Sequence, residues 1–398
     1  MPELTGVVPR LGLPARIAVG AIRRLLATRW QAGTLVVELP DGDRWTFAGA
    51  GGPRATLVVK DWRFFRRVLL RSDVGLGESY VAGEWECDDL VGVVRLLLAQ
   101  PAIAGERTLR LQAVVARLRA LLPRHPGRDV RAHYDLGNEF FALFLDESMT
   151  YSAATFATPD TSLADAQRDK LDGICRSMGL GPGMRVLDVG CGWGAFAMHA
   201  ARAYGCRVVG VTLSPAQHAL ACARVRDAGL ADRVDVRLDD YGGVDGAFDR
   251  IVSIEMFEAI GWHGYRRFFR TCDGRLAADG RMFLQATVYP DRGFDAYRRD
   301  VDWIRAHVFP GNLLGSLRRI VDTLARETSL RIESLRDIAL DYATTLRAWR
   351  GRFLAELPAV RALGYDDRFI RKWHLYLAMC EAAFAARHLA TLQIVLAR

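Results

Sequence analysis

The chain has 398 residues, 51% hydrophobic and 25% charged, which suits two or three globular domains with ample core and excludes a disordered or fibrous protein. Seven scattered cysteines, never spaced Cys-x-x-Cys, exclude a disulfide framework and a cysteine zinc site and point to a reducing compartment. The formal charge of +8 is nearly all arginine, since Lys60, Lys170 and Lys372 are the lysines among 54 cations. Arginine-favouring codon usage or contact with phosphate explains that bias, and nucleic acid and anionic lipid headgroups are both phosphate partners. No apolar run approaches the roughly 18 residues of a membrane span, and Met1-Pro2-Glu3-Leu4 lacks the basic start of a signal peptide, so a cytoplasmic protein is expected.

Residues 1–122 read as a small α+β domain. Ile17, Ile22, Leu25 and Leu26 recur at near-helical spacing with Arg16, Arg23, Arg24 and Arg29 between them. That helix is either a core element or a basic amphipathic face that lies on a bilayer. Residues 34–39 and 55–59 follow as strands, separated by a Gly/Asp-rich turn and the GAGG of 49–52. Two prolines and a glycine in Pro123-Arg124-His125-Pro126-Gly127-Arg128 mark a linker over 123–132. Beyond it, in 133–398, the pattern becomes repeated strand and helix. Strands are expected at 184–190, 207–213, 234–240, 248–256 and 281–288, with helices at 215–229 and 263–278. That alternation predicts a mostly parallel sheet with helices on both faces.

The turn Gly190-Cys191-Gly192-Trp193-Gly194 follows the first of these strands and opens a helix, so a ligand can approach its backbone closely. No GxxxxGK[ST] is present, which excludes a P-loop. A dinucleotide site needs an acid at the end of the second strand, and Gly210-Val211-Thr212-Leu213-Ser214-Pro215 has none. Asp188, two residues before the glycines, can steer a cationic or amino-bearing ligand. S-adenosylmethionine (SAM), with a sulfonium, an α-amino group and no phosphate, fits best. Ser214 ahead of Pro215 also reads simply as a helix cap.

The chain resembles the cyclopropane-fatty-acyl-phospholipid synthases, with the mycolic acid cyclopropane synthases and fatty-acid methyltransferases. The resemblance rests on His133-Tyr134-Asp135-Leu136-Gly137-Asn138-Glu139-Phe140-Phe141, Met149-Thr150-Tyr151-Ser152, the glycine turn, and Val211-Thr212-Leu213-Ser214 with Gln217. It continues through Asp240-Tyr241, Met256-Phe257-Glu258, Phe309-Pro310-Gly311, and Asp341-Tyr342-Ala343-Thr344-Thr345-Leu346 with Trp349. It implies a Rossmann-like class I SAM-dependent methyltransferase domain with a seven-stranded, mostly parallel sheet and a smaller amino-terminal domain that associates with lipid. It also implies transfer of a methyl group to the cis double bond of a phospholipid acyl chain through a carbocation. By that likeness Tyr151, Ser152, Asp188, Gly190, Gly192, Thr212, Leu213, Gln217, Asp240, Tyr241 and Ile254 hold SAM. His133 and Tyr134 order a segment over it, and 289–330, with Trp303 and Phe309, either lines the acyl channel or forms aromatic core.

Family members hold bicarbonate as the base. Glu258 and Tyr342 match two of its ligands by position. Gln285 stands where the family has histidine, Ala153 where it has the cysteine of Tyr-Ser-Cys, and Ala259 where it has the histidine of Phe-Glu-His. Those departures resemble the branch that makes methylene- or methyl-branched fatty acids, and they leave bicarbonate open. The resemblance also implies peripheral association with the inner face of the membrane, with no nucleic acid partner and with a homodimer left open. Competing readings are a small-molecule N-methyltransferase and a catalytically impaired SAM- or lipid-binding homologue.

Overall fold

The structure, a computed structural model, describes residues 12–100 and 136–398, which form two compact units. His133, Tyr134 and the expected linker lie outside the described residues. The first unit is built around a four-stranded sheet of order β2-β1-β3-β4. Strand β1 (Ala32–Glu38) runs antiparallel to β2 (Arg44–Ala48) and parallel to β3 (Ala50–Val59), and β4 (Trp85–Glu86) closes against β3. In β2, Trp45 and Phe47 face inward while Arg44, Thr46 and Ala48 face water, as a half-buried strand requires.

The helix expected near residues 16–29 spans Leu13–Arg29. It buries Ala18 and Ile22 and exposes Arg16, Arg23, Arg24, Arg29, Leu13 and Ile17, so it has both a packed stripe and a basic face. Two later segments, Asp300–Ala306 and Tyr365–Ala386, belong to this unit. Trp303 is therefore buried in the first unit, where its indole fills the space beside Gly77. A Cβ at residue 77 would lie 2.3 Å from that ring. Of the two sequence readings for Trp303, acyl channel or aromatic core, the structure shows core.

In the second unit the expected strands appear as β5 (Arg185–Val189), β6 (Arg207–Thr212), β7 (Val234–Leu238), β8 (Phe248–Ile254) and β9 (Leu276–Val288). The other two strands are β10 (Arg331–Asp337) and β11 (Ala390–Ala397). The order is β10-β11-β9-β8-β5-β6-β7. Pairs from β9 to β7 are parallel, whereas β11 runs antiparallel to both of its neighbours. Alternate residues feed opposite layers. Leu187, Ile251 and Leu284 pack with Phe257, Tyr265 and Phe268 on one face, while Val186, Val252 and Phe283 pack with Ile174, Phe196 and Val225 on the other. The chain runs outward from β5 through β6 to β7, then returns to place β8 on the other side of β5. The direction of winding therefore reverses between β5 and β8, and ligands bind at the carboxyl end of such a switch point.

Candidate active site

Asp188 is the penultimate residue of β5, paired on one side with Gly210 and on the other with Val252. Its side chain is 2% exposed, and Oδ2 has no hydrogen-bond partner. Burial raises its pKa to about 7, because an unpaired carboxylate in an apolar setting is unstable. The turn that follows is fixed by the backbone: Gly190 N and Cys191 N both donate to Val211 O, at 3.0 and 2.9 Å. Gly190 has φ +81°, and a Cβ there would strike Met256 at 2.6 Å, so only glycine fits. Gly192 has φ +54° and open space where a side chain would stand. A buried, unsatisfied acid beside an open glycine backbone is what a cationic, amino-bearing ligand completes, so these residues fit SAM. Asp188, Gly190 and Gly192 would hold its charged end, and SAM supplies an electrophilic methyl group.

At the end of β6, Thr212 Oγ1 donates to Gln217 Oε1 at 2.8 Å, and Ser214 Oγ caps the helix Pro215–Asp227 by accepting from Gln217 N. Ser214 is thus a cap, as its sequence allowed. Leu213 beside it is 59% exposed, an apolar surface left open at the crevice edge. Asp240 accepts from Gly242 N and from Arg267, and that guanidinium lies over the Tyr241 ring at 5.0 Å. Tyr241 is 7% exposed and packs edge-on against Phe268, so the structure places its ring in the core.

The ends of β8 and β9 carry a polar network centred on Glu255. Ile254 ends β8, and Glu255 after it adopts φ +55°, a left-handed conformation uncommon outside glycine. Its N–H donates to Gln285 O at 2.8 Å, which ties the end of β8 to β9. Oε1 accepts from Ala153 N at 2.9 Å and from Gln285 Nε2 at 2.8 Å, and Oε2 accepts from Tyr342 Oη at 2.8 Å. Lys170, 1% exposed, donates to Ser152 Oγ at 2.7 Å and adds a favourable charge near Glu255. Burial lowers the Lys170 pKa to about 8. The Glu255 pKa is raised by burial and drawn back by the Ala153, Gln285 and Tyr342 donors and by Lys170.

Glu258 sits one 3-10 turn further on, within Phe257–Ile260. Thr287 N donates to its Oε1 at 2.5 Å, and its buried Oε2 has no partner. Burial, and then the Glu255 charge, raise its pKa to about 8. The Glu255 charge helps to raise Glu258, whereas Lys170 helps to lower Glu255, so of the two carboxyls Glu258 is the harder to ionise.

Tyr342 lies on the helix Ala339–Ala355, whose Asp341 and Thr345 accept from Phe156 N at 3.2 Å and Ala154 N at 3.0 Å. One helix therefore fixes both the tyrosine and the 151–156 segment. Within that segment, Tyr151 packs between Phe141 and Trp349, each ring 5.2 Å away.

The resemblance grouped Gln285, Tyr342 and Ala153 with Glu258 at the base site and left open whether bicarbonate is held there. The structure does bring Gln285, Tyr342 and Ala153 together, but around Glu255, a residue that the sequence reading passed over. Their donors already satisfy that carboxylate, so the residues present do not fit a bicarbonate there. The available signal was an acid one position past the apolar run of β8, three residues before Glu258. Lys170 was noted in the sequence only as a rare lysine.

A Rossmann-like sheet with its last strand antiparallel, and an orphaned acid before an open glycine turn, makes this a class I SAM-dependent methyltransferase. Comparison with known proteins agrees and narrows the class. Residues 123–394 match the family model described as mycolic acid cyclopropane synthetase. The chain is 38% identical over 405 residues to tuberculostearic acid methyltransferase UfaA1 of Mycobacterium tuberculosis, covering 98% of this chain and 94% of that one. It is 40% identical over 362 residues to cyclopropane-fatty-acyl-phospholipid synthase of Escherichia coli, covering 87% and 89%. Among solved structures, mycolic acid cyclopropane synthase CmaA1 complexed with SAH and CTAB superposes with a TM-score of 0.64 at 32% identity, covering 70% and 99%. The chain belongs to the mycolic acid cyclopropane synthetase family.

Proposed function

We propose that the enzyme transfers a methyl group from SAM to the cis double bond of an unsaturated acyl chain in a membrane phospholipid. The observation that carries this reading is the division of the crevice. The end of β5 carries an unsatisfied acid for a cationic cofactor, and the end of the neighbouring β8 carries a held carboxylate that can take a proton. An olefin attacked by a sulfonium methyl becomes a carbocation, which must then lose a proton, so the chemistry needs both groups. Loss from the transferred methyl gives a cyclopropane; loss after a hydride shift gives a methylene branch. The names of the relatives, a cyclopropane-fatty-acyl-phospholipid synthase and a tuberculostearic acid methyltransferase, support a lipid substrate.

Among the described residues, no helix is long and apolar enough to cross a membrane. Access to phospholipid is therefore proposed to be peripheral, through the exposed Leu13 and Ile17 and the neighbouring arginines of the first unit. Incubation with methyl-labelled SAM and vesicles of saturated or monounsaturated phospholipid tests the reading. Mass spectrometry should find label on unsaturated acyl chains alone. Label on headgroup amines, or on saturated chains equally, refutes it.

A further inference from the structure

We propose that Glu255 is the proton acceptor of this reaction, a built-in carboxylate occupying the place where an external anion would otherwise be held. This rests on the reading of the enzyme as an olefin methyltransferase and names the group that completes its chemistry.

A carboxylate has four lone-pair positions across its two oxygens. Three of them accept here, from Ala153 N, Gln285 Nε2 and Tyr342 Oη, at 2.8 to 2.9 Å. The fourth, on Oε2, is left to take a proton. The donors come from three separate parts of the fold: the 151–156 segment, β9, and the helix Ala339–Ala355. Three peptide and side-chain donors converging on one point are what a small planar anion would need, and this chain supplies that anion itself. The backbone supports the assignment. Glu255 sits at φ +55°, where glycine is the ordinary occupant, so a large acidic side chain stands there against local preference. Lys170 and Ser152 are hydrogen-bonded to each other, and the Lys170 charge acts on the carboxylate electrostatically.

The balance is simple. The olefin π pair forms the new bond to the methyl carbon, and the broken C–S pair stays on sulfur. The neighbouring carbon is left cationic. Oε2 of Glu255 then takes a proton from the new methyl group: the released C–H pair closes the ring, or, once a hydride has shifted from the methyl-bearing carbon to the cationic one, forms the exomethylene bond. Glu255 is left as a neutral acid, which returns its proton to water before the next turnover.

The test uses the full-length enzyme, labelled SAM and monounsaturated phospholipid vesicles, in buffer stripped of carbon dioxide and in buffer with added bicarbonate. Wild-type turnover should be the same in both. Glu255→Gln should lose about 10²-fold or more in turnover while calorimetric SAM affinity stays within a few-fold of wild type. Glu255→Gly, which suits the backbone at this position, should also lose turnover and recover it with bicarbonate or formate. Carbon-13 NMR of labelled bicarbonate supplies a readout independent of turnover: binding to Glu255→Gly and none to wild type is expected.

Bicarbonate-dependent wild-type turnover, full turnover by Glu255→Gln, or no bicarbonate binding by a Glu255→Gly protein that still binds SAM would each overturn the assignment. If the wild type methylates no lipid at all, the substrate reading fails, and the NMR comparison still decides whether Glu255 fills an anion site.

Discussion

The two walls of the crevice solve opposite problems. On the β5 and β6 side, Gly190 and Cys191 bond to Val211, while Asp188 Oδ2 waits unpaired in the interior. On the β8 and β9 side, Glu255 has its partners before any ligand arrives. Asp188 is left to be completed by binding, whereas Glu255 is completed by folding. Free energy withheld on one side is available to attract a cation. Order established on the other is available to receive a proton without rearrangement.

The largest expected effect comes from removing the waiting acid. Asp188→Asn should weaken SAM binding by about 10²-fold, since a charge-assisted contact is lost, while raising the thermal stability of the ligand-free protein. Calorimetry and a melting curve on the same sample check both directions, and a variant that lost stability and affinity together would erase the distinction between the walls.

A pH series sharpens the comparison. The pKa of Asp188 rises from 3.8 to about 7 on folding, and that of Glu258 from 4.5 to about 8. Between those limits the folded state binds more protons than the unfolded state, so these groups make the ligand-free protein less stable as pH climbs from about 4 to about 8. Glu258→Gln should flatten the upper part of this decline and raise the melting temperature at pH 8 by several degrees, an effect of about 2 kcal/mol. An unchanged decline in the variant would show that Glu258 is charged in the fold.

Tyr342→Phe removes one donor from Glu255 and should cost about 10-fold in turnover, the worth of one hydrogen bond to a charged group, with SAM affinity unchanged. It should also shift the acid limb of the pH–rate profile upward, because Glu255 would hold its proton more tightly. An unshifted limb would separate Tyr342 from the titrating group. The smallest effect belongs to Ser214→Ala, which removes a helix cap and should lower stability by about 1 kcal/mol in denaturant melts, with the methylated product unchanged.

These walls also differ in how far the sequence disclosed them. A glycine turn after an apolar strand is a backbone requirement, and Gly190 admits no other residue, so Asp188, Gly190 and Gly192 were legible directly. The parallel strands β5 to β9 were legible for the same reason, because buried parallel strands are continuous apolar runs. Strand β10 was not, since every residue from Arg331 to Asp337 is exposed and no alternation marks it. Glu255 escaped notice because its role depends on residues 102, 30 and 87 positions away, at Ala153, Gln285 and Tyr342. Convergence of that kind is set by tertiary packing and leaves only an acid at a strand end in the sequence. Trp303 shows the same limit, as its place beside Gly77 depends on a contact between distant segments.

The account stands on the olefin as methyl acceptor. Carbon-13 NMR of a monounsaturated phospholipid incubated with the enzyme and methyl-labelled SAM tests it most directly. A labelled carbon bonded to the former double-bond carbons, as ring methylene or branch, is the predicted result, and a labelled carbon on nitrogen or oxygen would contradict it.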